Sequence, residues 1–437
     1  MPIFYKLINN IFFSSRDYIF IGKLQKLAKS NYFNLFIGLG FFFYKLNIKV
    51  FFIILYRIIF KFTLDILKFI YLPFIIIIYF TKIRFVRIDY SQIGTLLLDL
   101  DRQVKYYLLN NKIPIICIPK SIKRSYIKKI FQNLVVIDNI IINILFLPLI
   151  NSRIVSSDFN IDDLTFNKCS LFEIRRKFGL ISAYKDFYKF KPNYYKEMEE
   201  HFYQNFLNYD LKKTFVLHIR DNNYYSSSYI RSANEYNYIS TINFLLKNNY
   251  CVIRIVHSKS NKLSFSGNYC ELNCDIDFNQ LFQFYLIANC KGFLACNSGP
   301  AWFGTLLNVP MLFLNYLGDY SPGFRDNDIY VPKKILNFEG KTLTYKKIFD
   351  LKILQKNNLS IHNIEKNKLK IIENSENEIL NATKEFIELN YSGTREISLD
   401  QINFKKNIPY TLGLKNTGNI SDSYIKNNSE LFEGMLI

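Results

Sequence analysis

The chain has 437 residues, of which 49% are hydrophobic, 17% aromatic and 21% charged, a composition that excludes a disordered protein or a small scaffold. Its length allows two domains and an additional segment. The 56 Lys and Arg exceed the 36 Asp and Glu, which gives a net charge of +20 at pH 7. The seven cysteines are an odd number, and most lie in apolar runs without the paired spacing of a zinc site, so we interpret them as reduced thiols.

The basic charge is concentrated in residues 1–88, which contain thirteen Lys or Arg and two acidic residues. The same region holds the strongest apolar runs, at 51–56 and 69–81, but charged residues interrupt this region before it reaches the roughly 18 apolar residues that a spanning helix needs. We therefore predict that residues 1–80 form cationic, aromatic-rich amphipathic helices that lie on an anionic membrane surface. The alternative is a buried helical subdomain whose basic face is solvated.

Basic patches with interleaved aromatic residues can also bind nucleic acid. Here the basic residues are mixed with long Ile, Phe and Leu runs instead of lining a polar groove, and no recognisable nucleic-acid-binding motif accompanies them. We therefore expect no nucleic-acid partner.

Past residue 82, short apolar runs alternate with amphipathic segments, which is the pattern of an α/β protein. The first half contains predicted strands at 84–88, 113–118 and 134–137, with predicted helices at 93–109 and 121–132 between them. Strands that are apolar on both faces and separated by helices indicate a parallel sheet covered by helices.

The second half repeats this order more clearly. Predicted strands and helices alternate at 214–220, 238–246, 250–256, 278–289, 292–296, 300–307 and 310–314. The predicted fold class is therefore α/β, with two tandem Rossmann-like domains at 81–210 and 211–395. The helical segment 1–80 precedes them, and a helical tail at 396–437 is expected to pack back on the fold.

Polar side chains gather where strands of the second half end, which is where ligands of parallel sheets bind. The first of these strands ends in His218, Arg220 and Asp221, and alternation puts His218 and Arg220 on one face. The forked, always-charged guanidinium of Arg220 suits a diphosphate. Arg254 interrupts the next apolar strand, where its burial is costly unless an anion or a carboxylate pairs with it.

A third strand end reads Asn297-Ser298-Gly299-Pro300, and here a strand turns directly into a helix. Glycine allows close backbone approach, proline suits the first helical turn, and the N–H groups of that turn can bind a phosphate. This turn is therefore a second candidate for a phosphate contact.

Each of these features also has an ordinary structural explanation. His218 taken alone is at least as often a hydrogen-bonded core histidine as a catalytic residue. Arg220 and Arg254 could form structural bridges with Asp221 or Asp275, and a Ser-Gly-Pro turn is common in α/β proteins. Their joint position at strand ends of one Rossmann-like domain favours a nucleotide-diphosphate site.

Several motifs in the second half occur in an order that resembles a known family. They are TFVLHIRD at 214–221, Tyr225, Arg231, Tyr238, VIR at 252–254, NSG at 297–299 and DIYVPKKIL at 328–336. In these motifs the chain resembles a family of predicted bacterial surface-polysaccharide glycosyltransferases. More distantly, the H-x-R motif at 218–220 is similar to the donor-diphosphate motif of fucosyltransferases, and the stretch 297–310 is similar to the phosphate-binding turn of ADP-heptose transferases.

The resemblance implies a GT-B-like pair of Rossmann domains that transfers a sugar from a nucleotide-sugar donor to a bacterial cell-surface polysaccharide or lipid-linked glycan. It implies no metal ion and no cofactor besides the nucleotide-sugar donor. The basic charge and broken apolar runs of residues 1–80 predict a peripheral location on the cytoplasmic face of the inner membrane. The expected donor-binding residues are Arg220, Arg231, Arg254, Asn297, Ser298 and Gly299. His218 and Asp221 are the candidates for the base that activates the acceptor hydroxyl.

Some positions depart from these families. Gln92 and Thr95 stand where their members commonly have an arginine and a histidine, and Asp221 replaces the second arginine of the fucosyltransferase motif. The alternative hypothesis is accordingly a non-catalytic, membrane-associated protein that binds a nucleotide or a glycan and retains the GT-B-like fold.

Overall fold

The computed structural model describes most of the chain beyond residue 190 and shorter stretches before it. The described residues are 70–87, 104, 107, 112–117, 129–132, 135–137, 190–221, 230–318, 325–354, 361–409, 412 and 417–436. Most of the predicted membrane-associated segment therefore lies outside the described residues, as do Gln92, Thr95 and Tyr225.

The chain divides into two compact units, residues 1–81 with 144–155 and residues 82–143 with 156–437. In the first unit the structure describes helix α1, Leu72–Phe80. None of the helices in the described stretches has the length and apolar character needed to cross a membrane. The second unit contains every described strand. The domain limits that we expect after residues 80, 210 and 395 stay predictions.

A parallel three-stranded sheet opens the second unit. Its strands are β1, Ile83–Arg87; β2, Ile113–Cys117; and β3, Val135–Ile137, in that order across the sheet. Both neighbouring pairs are parallel, which confirms the three strands predicted in the first half. Within the two helices predicted between them, the described positions 104, 107, 129 and 130 are helical.

A larger sheet contains seven strands of the described part of the chain, and all of them are parallel. A separate antiparallel pair joins β10, Lys334–Leu336, to β11, Lys370–Ile372. The strands of the large sheet are β4, Thr214–His218; β5, Cys251–Val256; β6, Tyr269–Asn273; β7, Gly292–Ala295; β8, Met311–Tyr316; β9, Ile329–Pro332; and β12, Asn419–Ile420. Across the sheet they lie in the order β12-β9-β8-β7-β4-β5-β6.

Helices flank this large sheet. They are α2, Pro192–Asn205; α3, Ile239–Lys247; α4, Asp277–Asn289; α5, Ala301–Leu306; α6, Tyr345–Asp350; α7, Ile361–Lys366; α8, Glu376–Ile387; α9, Leu399–Asn407; and α10, Asp422–Asn427. Helix α8 contacts α3 and α10, whereas α4 contacts α2 and α5. All residues of β4, β5, β7 and β8 are buried, as expected for strands covered on both faces. The α/β fold class is confirmed.

The two groups of helices lie on opposite faces of the sheet. The neighbouring residues Gly292 and Phe293 of β7 show this, because Gly292 faces α8 and Phe293 faces α5. Successive residues of a strand point to opposite faces. A Cβ atom at Gly292 would lie 3.0 Å from the ring of Phe386 in α8, and one at Gly304 in α5 would lie 2.9 Å from the ring of Phe293. The glycines at these positions therefore let the strand and both helices pack closely.

The C-terminal tail closes one edge of the large sheet through β12. The N–H group of Asn419 donates to the carbonyl oxygen of Asp328 at 2.8 Å, directly before β9. A Cβ atom at Gly418 would collide with that same carbonyl, so the approach requires glycine. The sequence predicts a helical tail, and the structure contains α9 and α10 there but also this strand, which the sequence pattern did not reveal.

Candidate functional site

The order of the large sheet reverses at β4. The chain passes from β4 to β5 and β6 on one side, and then crosses to β7 on the other side of β4. In open parallel sheets, ligands bind outside the carboxyl ends of the two strands at such a switch point. Residues 218–221 end β4 and residues 296–299 follow β7, so the two sequence motifs lie at this point. We call these two stretches the switch-point edge.

Hydrogen bonds join the two stretches of the switch-point edge directly. The N–H group of Cys296 donates to the carbonyl of His218 at 3.2 Å, and the N–H group of Arg220 donates to the Cys296 sulfur at 2.9 Å. Burial raises the pKa of the Cys296 thiol, so this side chain stays protonated at neutral pH. Cys296, to which the sequence analysis gave no role, therefore fixes the spacing between the motifs.

The two residues expected to supply a base are both buried. His218 is 3% exposed, and burial, followed by the nearby charges of His257 and Arg220, lowers its pKa to about 3. Asp221 is 2% exposed and accepts a hydrogen bond from the Ser260 hydroxyl at 2.5 Å. A base must come within hydrogen-bond distance of the substrate proton. Both side chains are therefore enclosed by neighbouring residues, and the catalytic role expected of them stays a prediction.

Arg220 is the charged side chain of the first motif that stays partly accessible. Its backbone is held on both sides, because its carbonyl accepts a hydrogen bond from the Ala233 N–H group at 2.9 Å and its own N–H group is bound to Cys296. A guanidinium on a fixed backbone presents its forked donors in a defined direction. The contact between Arg220 and a donor diphosphate stays a prediction.

Arg231 and Asn297 shape the turn after β7. The Nε and Nη2 groups of Arg231 both donate to the carbonyl oxygen of Asn297, at 3.2 and 3.1 Å. The side-chain amide of Asn297 donates to the carbonyl oxygen of Leu317 at 2.8 Å. Both side chains, which the sequence analysis assigned to the donor, therefore bind backbone carbonyls and hold the turn in position.

Ser298 and Gly299 form the turn itself. Ser298 is buried with its hydroxyl next to the Cys296 thiol, whereas Gly299 is partly exposed. The φ angle of Gly299 is not positive, so the backbone of this turn is not left-handed. The property of glycine that matters here is the absence of a side chain, which leaves the backbone open to close approach. Helix α5 has six residues, so an anion at this turn would contact backbone N–H groups and gain little from a helix dipole.

Arg254 belongs to a buried ion pair within the sheet. Its guanidinium is completely buried, and Nη1 donates at 2.9 Å both to the Glu271 carboxylate and to the carbonyl of Asn261. The same carboxylate oxygen accepts hydrogen bonds from the Tyr269 hydroxyl at 2.8 Å and the Leu263 N–H group at 3.0 Å. The counter-charge thus comes from β6, and not from the aspartates considered in the sequence analysis. Among the described residues, the Nε and Nη2 atoms of Arg254 have no hydrogen-bond partner, and the contact between Arg254 and the donor stays a prediction.

One polar pair at the same edge of the sheet is not among the site residues predicted from the sequence. His257 directly follows β5, and its Nδ1 atom lies 2.9 Å from Oδ1 of Asp275, which follows β6. Burial alone would raise the pKa of Asp275, but hydrogen bonds from Ser258 and His257 outweigh burial and lower it to about 2. His257 directly follows the predicted strand 250–256, and this position at a strand end is the signal that could have identified it. Asp275 had no such signal, because β6 was not predicted.

Across the described stretches, no group of three or more His, Cys, Asp or Glu side chains is arranged to hold a metal ion. The expectation that the protein works without a metal ion stays a prediction.

The chain is similar to two solved glycosyltransferase structures at low sequence identity. No protein-family model and no curated protein matches the chain. One structure is that of the glycosyl transferase family 9 from Veillonella parvula DSM 2008, with 11% identity and a TM-score of 0.44, covering 70% of this chain and 98% of that one. The other is E. coli ADP-heptose LPS heptosyltransferase II, with 13% identity and a TM-score of 0.33, covering 55% and 86%. Similarities of this size concern the fold alone.

Proposed function

We propose that the protein is a glycosyltransferase that moves a sugar from a nucleotide-sugar donor to a bacterial cell-surface polysaccharide or lipid-linked glycan. One observation carries the proposal. The two motifs that the sequence resemblance associates with a donor diphosphate, at 218–221 and 297–299, follow the two strands of the switch point. Ligands of open α/β sheets bind at this position. The GT-B-like pairing of two Rossmann domains is part of the proposal.

In the proposed site, Arg220 and the turn at Ser298 and Gly299 hold the donor diphosphate. Negative charge develops on the leaving diphosphate as the bond between the sugar and the phosphate oxygen breaks. A forked guanidinium and backbone N–H groups stabilise this charge, in the role that a metal ion has in other transferases. Arg231 and Asn297 act indirectly, because they fix the turn that contacts the phosphate.

Release of nucleoside diphosphate from sugar nucleotides tests the proposed function. We expect the purified full chain to release nucleoside diphosphate from at least one member of a panel of sugar nucleotides, and to do so faster when a lipid-linked glycan fraction is added as acceptor. The alternative, a non-catalytic binding protein, predicts nucleotide binding by calorimetry without release. Absence of both binding and release across the panel would refute the proposal.

We also propose that the first unit contacts an anionic membrane surface on the cytoplasmic side. Helix α1 is apolar over its whole length, and most of its large side chains are exposed: Phe74 is 59%, Ile77 is 62% and Phe80 is 81% accessible, whereas Ile75 is buried. Residues 1–88, which include this helix, carry thirteen Lys or Arg and two acidic residues. Apolar side chains beside cations suit the boundary between acyl chains and anionic headgroups.

Charged residues on α1 should weaken membrane binding. We expect the full chain to sediment with vesicles that contain phosphatidylglycerol, and the double variant Ile77→Glu/Phe80→Glu to bind roughly tenfold or more weakly, because two apolar side chains no longer enter the bilayer. Phe338→Glu is the matched control, since Phe338 is 73% exposed in the second unit, and it should bind like the unchanged chain. Equal binding by the double variant would exclude α1 from the membrane contact.

A further inference from the structure

The pair formed by His257 and Asp275 is built as a unit at the carboxyl edge of the large sheet. The Nδ1 atom of His257 lies 2.9 Å from Oδ1 of Asp275. The other carboxylate oxygen accepts hydrogen bonds from both the N–H group, at 2.7 Å, and the hydroxyl of Ser258. The carboxylate is therefore fixed by three donors, and it in turn fixes the orientation of the imidazole ring.

This pair is connected to the switch-point edge through Ser260. The Ser260 hydroxyl donates to Asp221 at 2.5 Å and accepts from the N–H group of His257 at 3.2 Å. The N–H group of Ser260 donates back to the His257 carbonyl at 2.9 Å, which closes a tight turn after β5. Strands β4 and β5 pair with His218 opposite Ile255, two residues before His257. His257 therefore lies beside the end of β4, on the neighbouring strand.

We propose that His257 is the general base of the transfer reaction and that Asp275 is its positioning residue. This inference rests on the proposed function. With Nδ1–H donating to Asp275, the lone pair for accepting a proton is on Nε2. The acceptor oxygen forms a bond to the anomeric carbon and its proton passes to Nε2. The bond between the anomeric carbon and the phosphate oxygen breaks, and its electron pair leaves with the nucleoside diphosphate.

Exposure, packing and position distinguish His257 from the other histidines of the chain. The side chain of His257 is 19% exposed, so the ring reaches the surface of the edge, while Asp275 beside it stabilises the imidazolium that forms. His218 is 3% exposed and neutral. His201 packs its ring against Phe278 and Phe282, with centroid distances of 4.4 and 4.7 Å. His362 lies on α7, outside the switch-point edge.

Three variants of the full chain separate a base from a phosphate ligand. His257→Gln should lower the turnover of the sugar nucleotide identified in the panel by about 10²- to 10⁴-fold, with unchanged affinity for the nucleoside diphosphate by calorimetry. Asp275→Asn should lose turnover to a comparable extent, because the ring is no longer held in the required tautomer. His362→Gln, which changes an exposed histidine, is the control and should match the unchanged chain.

Ring-nitrogen NMR provides a readout that does not depend on turnover. In the unchanged chain we expect the neutral His257 ring to carry its proton on Nδ1, and in Asp275→Asn this preference should be lost. This measurement also decides the case if His257→Gln fails to fold. A proton on Nε2 instead of Nδ1 would overturn the proposal.

The kinetic outcomes are equally decisive. Retained turnover in His257→Gln would overturn the proposal, and so would a parallel loss of affinity for the nucleoside diphosphate, which would make His257 a phosphate ligand. Absence of release by the unchanged chain from every sugar nucleotide would refute the proposed function itself. The two failures can be told apart. If only the role of His257 is wrong, the unchanged chain releases nucleoside diphosphate and the His257→Gln variant does so at a similar rate.

Discussion

Replacing Arg220 by alanine should lower the release of nucleoside diphosphate by roughly 10²- to 10³-fold, because the variant loses a charged donor that stabilises the leaving group. Arg220 is the partly accessible cation of the switch-point edge, and hydrogen bonds to both its N–H group and its carbonyl hold its backbone. Arg220→Lys should also lose activity, since an ammonium group keeps the charge without the forked geometry. Turnover on the identified sugar nucleotide and calorimetry with nucleoside diphosphate measure both effects.

Lys213→Ala is the matched control for the loss of one positive charge. Lys213 is exposed and precedes β4, so it lies at the amino end of the strand that carries Arg220 at its carboxyl end. Its removal should leave turnover and nucleotide affinity unchanged. Full activity of Arg220→Ala would remove Arg220 from the donor site, whereas a lower melting temperature with normal affinity would indicate a purely structural residue.

Replacing Glu271 by leucine should lower the free energy of unfolding by about 3–5 kcal/mol, because it leaves the guanidinium of Arg254 buried without a counter-charge. The two side chains are 1% and 16% exposed, and Tyr269 and Leu263 donate to the same carboxylate. Urea titration followed by tryptophan fluorescence measures the loss. The one tryptophan of the chain, Trp302, is in α5 of the second unit and reports on its unfolding.

The double variant Arg254→Met/Glu271→Leu provides the control for this ion pair. It should lose less stability than Glu271→Leu alone, because removing both charges leaves no unpaired ion in the sheet. Nucleotide affinity of the folded double variant should stay unchanged. A stable Glu271→Leu variant, or a double variant that folds normally and no longer binds nucleotide, would return Arg254 to the donor site.

The sequence predicted most of the strands that are continuous apolar runs, although β9, Ile329–Pro332, was not among them. Strand β5 was predicted because five of its six residues are apolar, and Arg254 marked the exception. Strand β6 was missed because Tyr269–Asn273 contains the polar residues Glu271 and Asn273. Glu271 is needed in this strand because it pairs with Arg254 on the neighbouring strand β5. Strand β12 has two residues, which is too short for any periodic pattern.

The sequence located the switch-point edge but not the contacts within it. The motifs at 218–221 and 297–299 were recognised because each combines special residue types at the end of a strand. Their partners are distant in the sequence: Ser260 is 39 residues from Asp221, and Arg231 is 66 residues from Asn297. A local pattern contains no information on such pairs, nor on the burial of His218.

The two edges of the described seven-stranded sheet carry features that disfavour pairing with another chain. An exposed edge strand is a template for pairing between molecules, and short strands or inward-pointing charges prevent this. Strand β12 offers two residues at one edge, and β6 carries Glu271 at the other. Because β12 depends on the contact between Gly418 and the carbonyl of Asp328, a side chain at this glycine would uncover β9 and favour edge-to-edge aggregation.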